Sequence, residues 1–164
     1  MRRVITGVDA NGKSTILYDG PPQSIHHVTN TKVGQLQMHH AETFPAEVPA
    51  GHCCAVDIWE TTGLPRPDDA DPMASPQPFG IEPEGKGLRV RHQTWGANVD
   101  SSTMHATDTL DINIIIEGSV ELLLEEGRSV TLTKGDSVVL PGNEHGWRAG
   151  PEGVTMINIM QKLA

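Results

Sequence analysis

Residues 104–147 decide the fold. They open Met104-His105-Ala106-Thr107-Asp108-Thr109-Leu110-Asp111, followed by the apolar run Ile112 to Ile116, the pair Glu117-Gly118 and a second apolar run, Val120 to Leu124. Glu125-Glu126-Gly127, Val130-Thr131-Leu132, Lys134-Gly135-Asp136 and Val138-Val139-Leu140 come next, and Pro141-Gly142-Asn143-Glu144-His145-Gly146-Trp147 closes the stretch. Short apolar runs broken by glycine turns about every eight to ten residues predict an antiparallel β-meander. Turns are expected at Gly118, Gly127 and Gly135. The chemistry-bearing side chains, His105, Asp111 and His145, stand near the two ends of the meander.

Alternation along Asp111 to Glu117 puts Asp111, Asn113 and Ile115 on one face and Ile112, Ile114 and Ile116 on the other. The first face suits the inside of a barrel. The second is apolar, so it calls for a covering sheet or a second subunit.

The spacing resembles the cupin family, a small jelly-roll β-barrel. His105, Asp111 and Gly118 fall at the first histidine, the carboxylate and the glycine of its first motif, and Gly135, Pro141, Gly142 and His145 follow its second. The match covers about 45 of the 164 residues. Thr107 stands where the family has its second histidine, Asp111 replaces the longer glutamate, and Ala149 stands where an asparagine is usual. The resemblance implies an all-β, cupin-like jelly-roll barrel with an N-terminal β arm. It also implies a homodimer, since barrel cupins commonly pair.

A chain of 164 residues suffices for one domain with a real core. Residues 1–52 are expected to form an N-terminal arm and a polar segment, and residues 53–164 the barrel. The formal charge is −9, which argues against a nucleic-acid partner. No apolar run is long enough to span a bilayer, and the N-terminus lacks a signal-peptide core, so a cytoplasmic protein without a membrane partner is expected. The two cysteines, Cys53 and Cys54, are adjacent and are read as free thiols.

Val4-Ile5-Thr6 and Ser14 to Tyr18 flank Asp9-Ala10-Asn11-Gly12 and predict a hairpin. Residues 23–52 carry His26, His27, His39, His40 and His52 without a metal-ligand spacing, and read as a polar surface segment. Ala55 to Trp59 reads as a strand. Residues 61–86 hold six of the twelve prolines and read as a long loop, either plain surface or a lid, with room for a short helix at 66–74. In the strand Gly87 to Trp95, Arg89, Arg91 and Gln93 share one face, and Val90, His92 and Thr94 the other. Val154 to Met160 is expected to complete the barrel.

Two histidines and a carboxylate converging in a lumen support two kinds of chemistry. They can hold one divalent ion, Fe, Zn or Mn, at His105, Asp111 and His145 with open positions for water or substrate. Without a metal they support acid–base work, with His92 as a further candidate group. Arg91, Trp95, Met104, Asn113, Ile115 and Trp147 are the candidates for contact with a small-molecule substrate in the lumen. The leading expectation is a lyase or isomerase, of dehydratase or cyclase type, acting on a hydroxylated or polyketide-like carbonyl compound. An Fe(II)-dependent dioxygenase and a non-catalytic ligand-binding cupin are the alternatives.

Overall fold

The computed structural model describes residues 1–164 with the exception of Val33 and Pro67. Among the described residues eleven strands run β1 Arg3–Val8, β2 Ser14–Gly20, β3 Ile25–Asn30, β4 Gln37–His40, β5 Cys53–Glu60, β6 Leu88–Trp95, β7 Asp100–His105, β8 Thr109–Leu123, β9 Ser129–Thr133, β10 Ser137–Pro141 and β11 His145–Lys162. The only helical element among the described residues is a single 3-10 turn, Glu125–Gly127, so the short helix expected at 66–74 is absent from the described residues of that stretch. No helix among the described residues is long and apolar enough to cross a membrane.

β1 and β2 form the expected hairpin as a separate two-stranded sheet. Its turn is held by Asp9, whose Oδ1 accepts from the backbone N–H groups of Asn11 and Lys13. Arg3 pins the arm down by donating to Ile58 O at 2.9 Å and to both carboxylate oxygens of Asp71.

The other nine strands form one sheet in the order β10-β8-β11-β6-β5-β3-β4, with β7 added on β11 and β9 on β8. Two long strands organise it. The first half of β8 pairs with the second half of β11 (Asp111 opposite Met160, Asn113 opposite Asn158), and the second half of β8 with the first half of β11 (Leu122 opposite Trp147). The ladder breaks between Ala149 and Val154 on β11, against Gly118 on β8. Gly118 and Gly153 both have positive φ, +75° and +77°, and a Cβ on Gly118 would stand 2.1 Å from Gly153 O. Only glycine tolerates that approach, so the two strands bend there together. Gly118 therefore forms a bulge inside one continuous strand and not the hairpin turn expected from Glu117-Gly118, because β11 carries the pairing straight across it.

The bend folds the sheet into two layers, as in a jelly roll. Val99, Ile115, Val120, Leu122, Trp147, Val154 and Met156 form one buried cluster drawn from both halves of the long strands. Fully burying side chains of this size stabilises by roughly 1.5–3 kcal/mol each. A second, smaller cluster, Ile25, Cys54 and Val56, packs under Ala41, Phe44 and Val48.

Two expectations change. Residues 25–40 are not simply a polar surface segment, because β3 and β4 extend the main sheet and His26 is buried in it. Pairing of β3 with β5 supplies the backbone partners that allow so polar a sequence to be a strand. On the outer face of β8 Ile116 is 43% exposed, and Ile112 and Ile114 are half-buried.

Candidate active site

Between the layers lies a cavity of about 140 Å³. Of the candidate site residues, Arg91, Trp95, His105, Asp111, Asn113, His145 and Trp147 line it. Phe79 and Ile81 of the proline-rich loop close over it, so this part of the loop borders the cavity.

His105 ends β7 and His145 begins β11, directly opposite each other in the ladder. Their rings are 4.5 Å apart between centroids and tilted by 50°. Nδ1 of His145 lies 2.9 Å from Asn143 O, and Nδ1 of His105 lies 3.0 Å from Thr103 O. A carbonyl only accepts, so each Nδ1 carries a proton, and in the neutral form of either ring the lone pair is on Nε2. The tautomers are set by backbone carbonyls and not by Asp111.

Asp111 sits on the inner face of β8. Thr107 Oγ1 donates to its Oδ2 at 3.3 Å, while Oδ1 is buried and has no partner. Burial raises its pKa above the ordinary range, and the nearby hydroxyls of Thr109 and Thr107 only partly oppose this. Burial lowers the pKa of His145, offset in part by the Asn143 carbonyl. The carboxyl thus holds a proton more readily than usual and the imidazole less readily, so burial moves the two groups toward each other.

The donor set does not assemble into a metal centre. His105, Asp111 and His145 share a wall, but among the described residues no three His, Cys, Asp or Glu side chains group closely enough to hold an ion. The hydroxyl of Thr107 occupies the place of a ligating imidazole and turns Asp111 to itself.

Three other candidates fall elsewhere. His92 points to the outer face, edge-on to Phe44 at 5.6 Å, with burial lowering its pKa and Nδ1 left without a partner. Strand alternation puts it opposite to Arg91. Ile115 lies fully within the packed core and not against the cavity, because it is beside the bend at Gly118. Met104 is exposed, 38 %, on β7.

Asp57 and Asn158 were not expected at the site. Asp57 accepts from Arg91 Nε at 2.7 Å and from Nη2 at 3.1 Å, with His26 Nε2 at 3.4 Å from its other side. Burial alone would raise the pKa of Asp57, but His26, Arg91 and Arg89 together hold it well below the carboxylate range. Asn158 is opposite both Asn113 and Arg91. A lone amide in the apolar alternation Val154, Met156, Asn158, Met160 was the available signal. Cys53 lines the cavity and Cys54 the outer cluster; both are free thiols, and burial pushes Cys54 up to about 11.

No family model matches the chain. It is 28% identical over 148 residues to a cupin-domain-containing oxidoreductase of Neurospora crassa, covering 88% of this chain and 64% of that protein. It is 36% identical over 72 residues to phomopsin biosynthesis cluster protein C' of Diaporthe leptostromiformis, covering 43% of this chain and 36% of that one. A cupin superfamily structure from Desulfitobacterium hafniense aligns over 76% of this chain and 94% of its own, with a TM-score of 0.48 and 9% identity. The chain spans less than two thirds of the length of these curated relatives. The fold is that of a cupin, with a first motif that lacks one of the histidines.

Proposed function

We propose that this chain is a small-molecule lyase or isomerase of specialised metabolism, working by acid–base chemistry on a hydroxylated carbonyl compound in the barrel lumen. One observation carries this reading: His145, held by its Nδ1 with Nε2 left free, and a partnerless, buried Asp111 oxygen border the same cavity. His145 Nε2 takes the proton from the carbon beside the carbonyl. The C–O bond to the neighbouring hydroxyl then breaks, and protonated Asp111 gives its proton to the departing oxygen, which leaves as water. A carbon–carbon double bond remains. The imidazolium proton returns to Asp111 through solvent. The apolar flanks Trp95, Trp147 and Met156 suit an uncharged skeleton and exclude bulk water. The biosynthesis-cluster relative supports the placement in specialised metabolism.

The name of the Neurospora relative favours a second reading, redox chemistry at a bound metal. That reading needs His105, Asp111 and His145 to converge beyond their present arrangement. The proposal also includes a second copy of the chain packed on the outer face of β8, where Ile112 stands between Val139 and Ile159 in one apolar rung. Light scattering at micromolar concentration tests this, and a strictly monomeric protein would remove it.

The test of the chemistry is a panel of β-hydroxy ketones of graded size, incubated in deuterated buffer. Mass spectrometry reads loss of water and exchange at the carbon beside the carbonyl. His145→Ala should cost about 10²–10⁴-fold in rate in a folded protein. Full turnover by that variant refutes the mechanism. Binding without exchange or loss of water for every compound favours the non-catalytic cupin.

A further inference from the structure

A single polar rung crosses the cavity wall. Asn113 on β8 is opposite Asn158 on β11, Asn158 is opposite Arg91 on β6, and Arg91 is opposite Asp57 on β5. Met156 and Met160, two residues to either side of Asn158 on the same face, flank it, so the rung is a polar line between apolar walls.

Its two halves differ in what they offer a ligand. Arg91 is spent on the protein. Nε and Nη2 reach Asp57, Nη2 also donates to Gly80 O at 2.9 Å, and the ring of Phe79 covers the guanidinium at 4.4 Å. Its charge is balanced by Asp57, and no other Lys or Arg lines the cavity among the described residues. An anionic ligand would find no free cation here, and would meet the Asp111 carboxyl instead.

The amide half is unspent. Asn113 and Asn158 are 3% and 7% exposed. Nδ2 of Asn158 donates to Oδ1 of Asn113, which leaves Nδ2 of Asn113 and Oδ1 of Asn158 buried without a partner. Turning both amides over would only exchange which residue holds which, since a paired Asn–Asn edge always leaves one donor and one acceptor. Buried polar groups in folded proteins are nearly always satisfied. Two unsatisfied groups of opposite sense, side by side on a cavity wall, are a recognition edge.

We infer that Asn113 and Asn158 form the specificity edge of the site and select a neutral carbonyl flanked by a hydroxyl, against carboxylates. The amide N–H of the pair donates to the ligand carbonyl, and its C=O accepts from the ligand hydroxyl. The inference rests on the acid–base reading of the same lumen for its substrate class, but it is tested by binding alone.

The probes are 4-hydroxybutan-2-one, its O-methyl ether and 3-hydroxypropanoate, followed by saturation-transfer NMR against the full chain. The hydroxy ketone keeps both groups of the edge, the ether loses the hydroxyl donor, and 3-hydroxypropanoate carries the negative charge. Wild type should bind the hydroxy ketone about tenfold or more tightly than either of the others, since a site built to pair a hydroxyl rejects the analogue without it. Asn113→Asp removes the free donor while keeping the acceptor for Asn158, and it preserves shape. It should abolish the preference while circular dichroism stays unchanged. Asn158→Leu should do the same, whereas Lys134→Ala, exposed in the turn before β10, should bind the hydroxy ketone as wild type does. Equal or tighter binding of 3-hydroxypropanoate, no binding of the hydroxy ketone, or full discrimination in folded Asn113→Asp each overturns the inference. Retained discrimination together with full turnover by His145→Ala would instead overturn the catalytic reading and leave the edge standing.

Discussion

Arg91 and Asp57 close on each other in a two-point ion pair sealed within the barrel wall, at 2.7 and 3.1 Å, with side chains only 3% and 1% exposed. Removing one partner of such a pair strands a buried charge. Asp57→Leu should therefore destabilise by about 3–5 kcal/mol, and adding Arg91→Met should recover much of that loss. Urea unfolding of the two variants against wild type checks this. A single variant within about 0.5 kcal/mol of wild type, the range of an ordinary surface substitution, would mean the pair carries no such weight.

Asp111 and His145 give opposite pH dependences of stability. The folded-state pKa of Asp111 lies above the ordinary 3.8, so its contribution is fully present below that value and is lost as pH rises through the folded pKa. Asp111→Asn should thus be more stable than wild type at neutral pH, by roughly 0.5–2 kcal/mol, and less active. Its advantage should vanish under strongly acid conditions.

His145 has a folded pKa below the ordinary 6.5, so its contribution is present above 6.5 and is lost as pH falls toward the folded value. His145→Gln should flatten the decline of stability just below pH 6.5. Urea midpoints taken across pH in the two variants decide both points, and an unchanged acid slope in His145→Gln would remove the second.

Gly118→Ala combines a positive φ with a Cβ placed 2.1 Å from a backbone oxygen. A cost of about 1–3 kcal/mol in strain is expected, and more if the bend opens. Thermal unfolding measures it, and a variant as stable as wild type would show that β8 does not need the bulge.

Thr107→His adds the missing imidazole beside His105, Asp111 and His145, all of which line the same cavity as Thr107. The variant should retain about one equivalent of zinc through dialysis where wild type retains less, because a fourth ligand completes a closed coordination shell. Elemental analysis of protein made without a histidine tag reads the difference. Equal zinc in both proteins would mean that Thr107 is not what keeps the donors apart.

The fold was readable where side-chain alternation and turn chemistry act locally. The Asp9-Ala10-Asn11-Gly12 hairpin, the β9 and β10 strands and the shared face of Asp111 and Asn113 follow from short-range rules, His105 and His145 came from the cupin spacing, and alternation alone left open which face of β6 turns inward. What escaped depends on partners distant in sequence. Gly118 looks like a turn until Gly153 is known to face it. β3 is too histidine-rich to read as a strand without β5 beside it. Ile115 obeys alternation, yet the bend moves it from cavity wall to core. Asn158 acquires meaning only from Asn113, 45 residues earlier in the chain.

The paired bulge at Gly118 and Gly153 has one more consequence. Before it, the odd-numbered residues of β8 point inward, Asp111, Asn113 and Ile115; after it, the even-numbered ones do, Val120 and Leu122. β11 changes parity too, from His145, Trp147 and Ala149 to Val154, Met156, Asn158 and Met160. Each long strand is thus read in two phases, and no single alternating rule could place both its halves inside. The amide half of the wall could be rewritten for a different ligand without touching the alternation that packs Val120, Leu122 and Trp147, so ligand preference and core packing are free to diverge separately along one piece of chain.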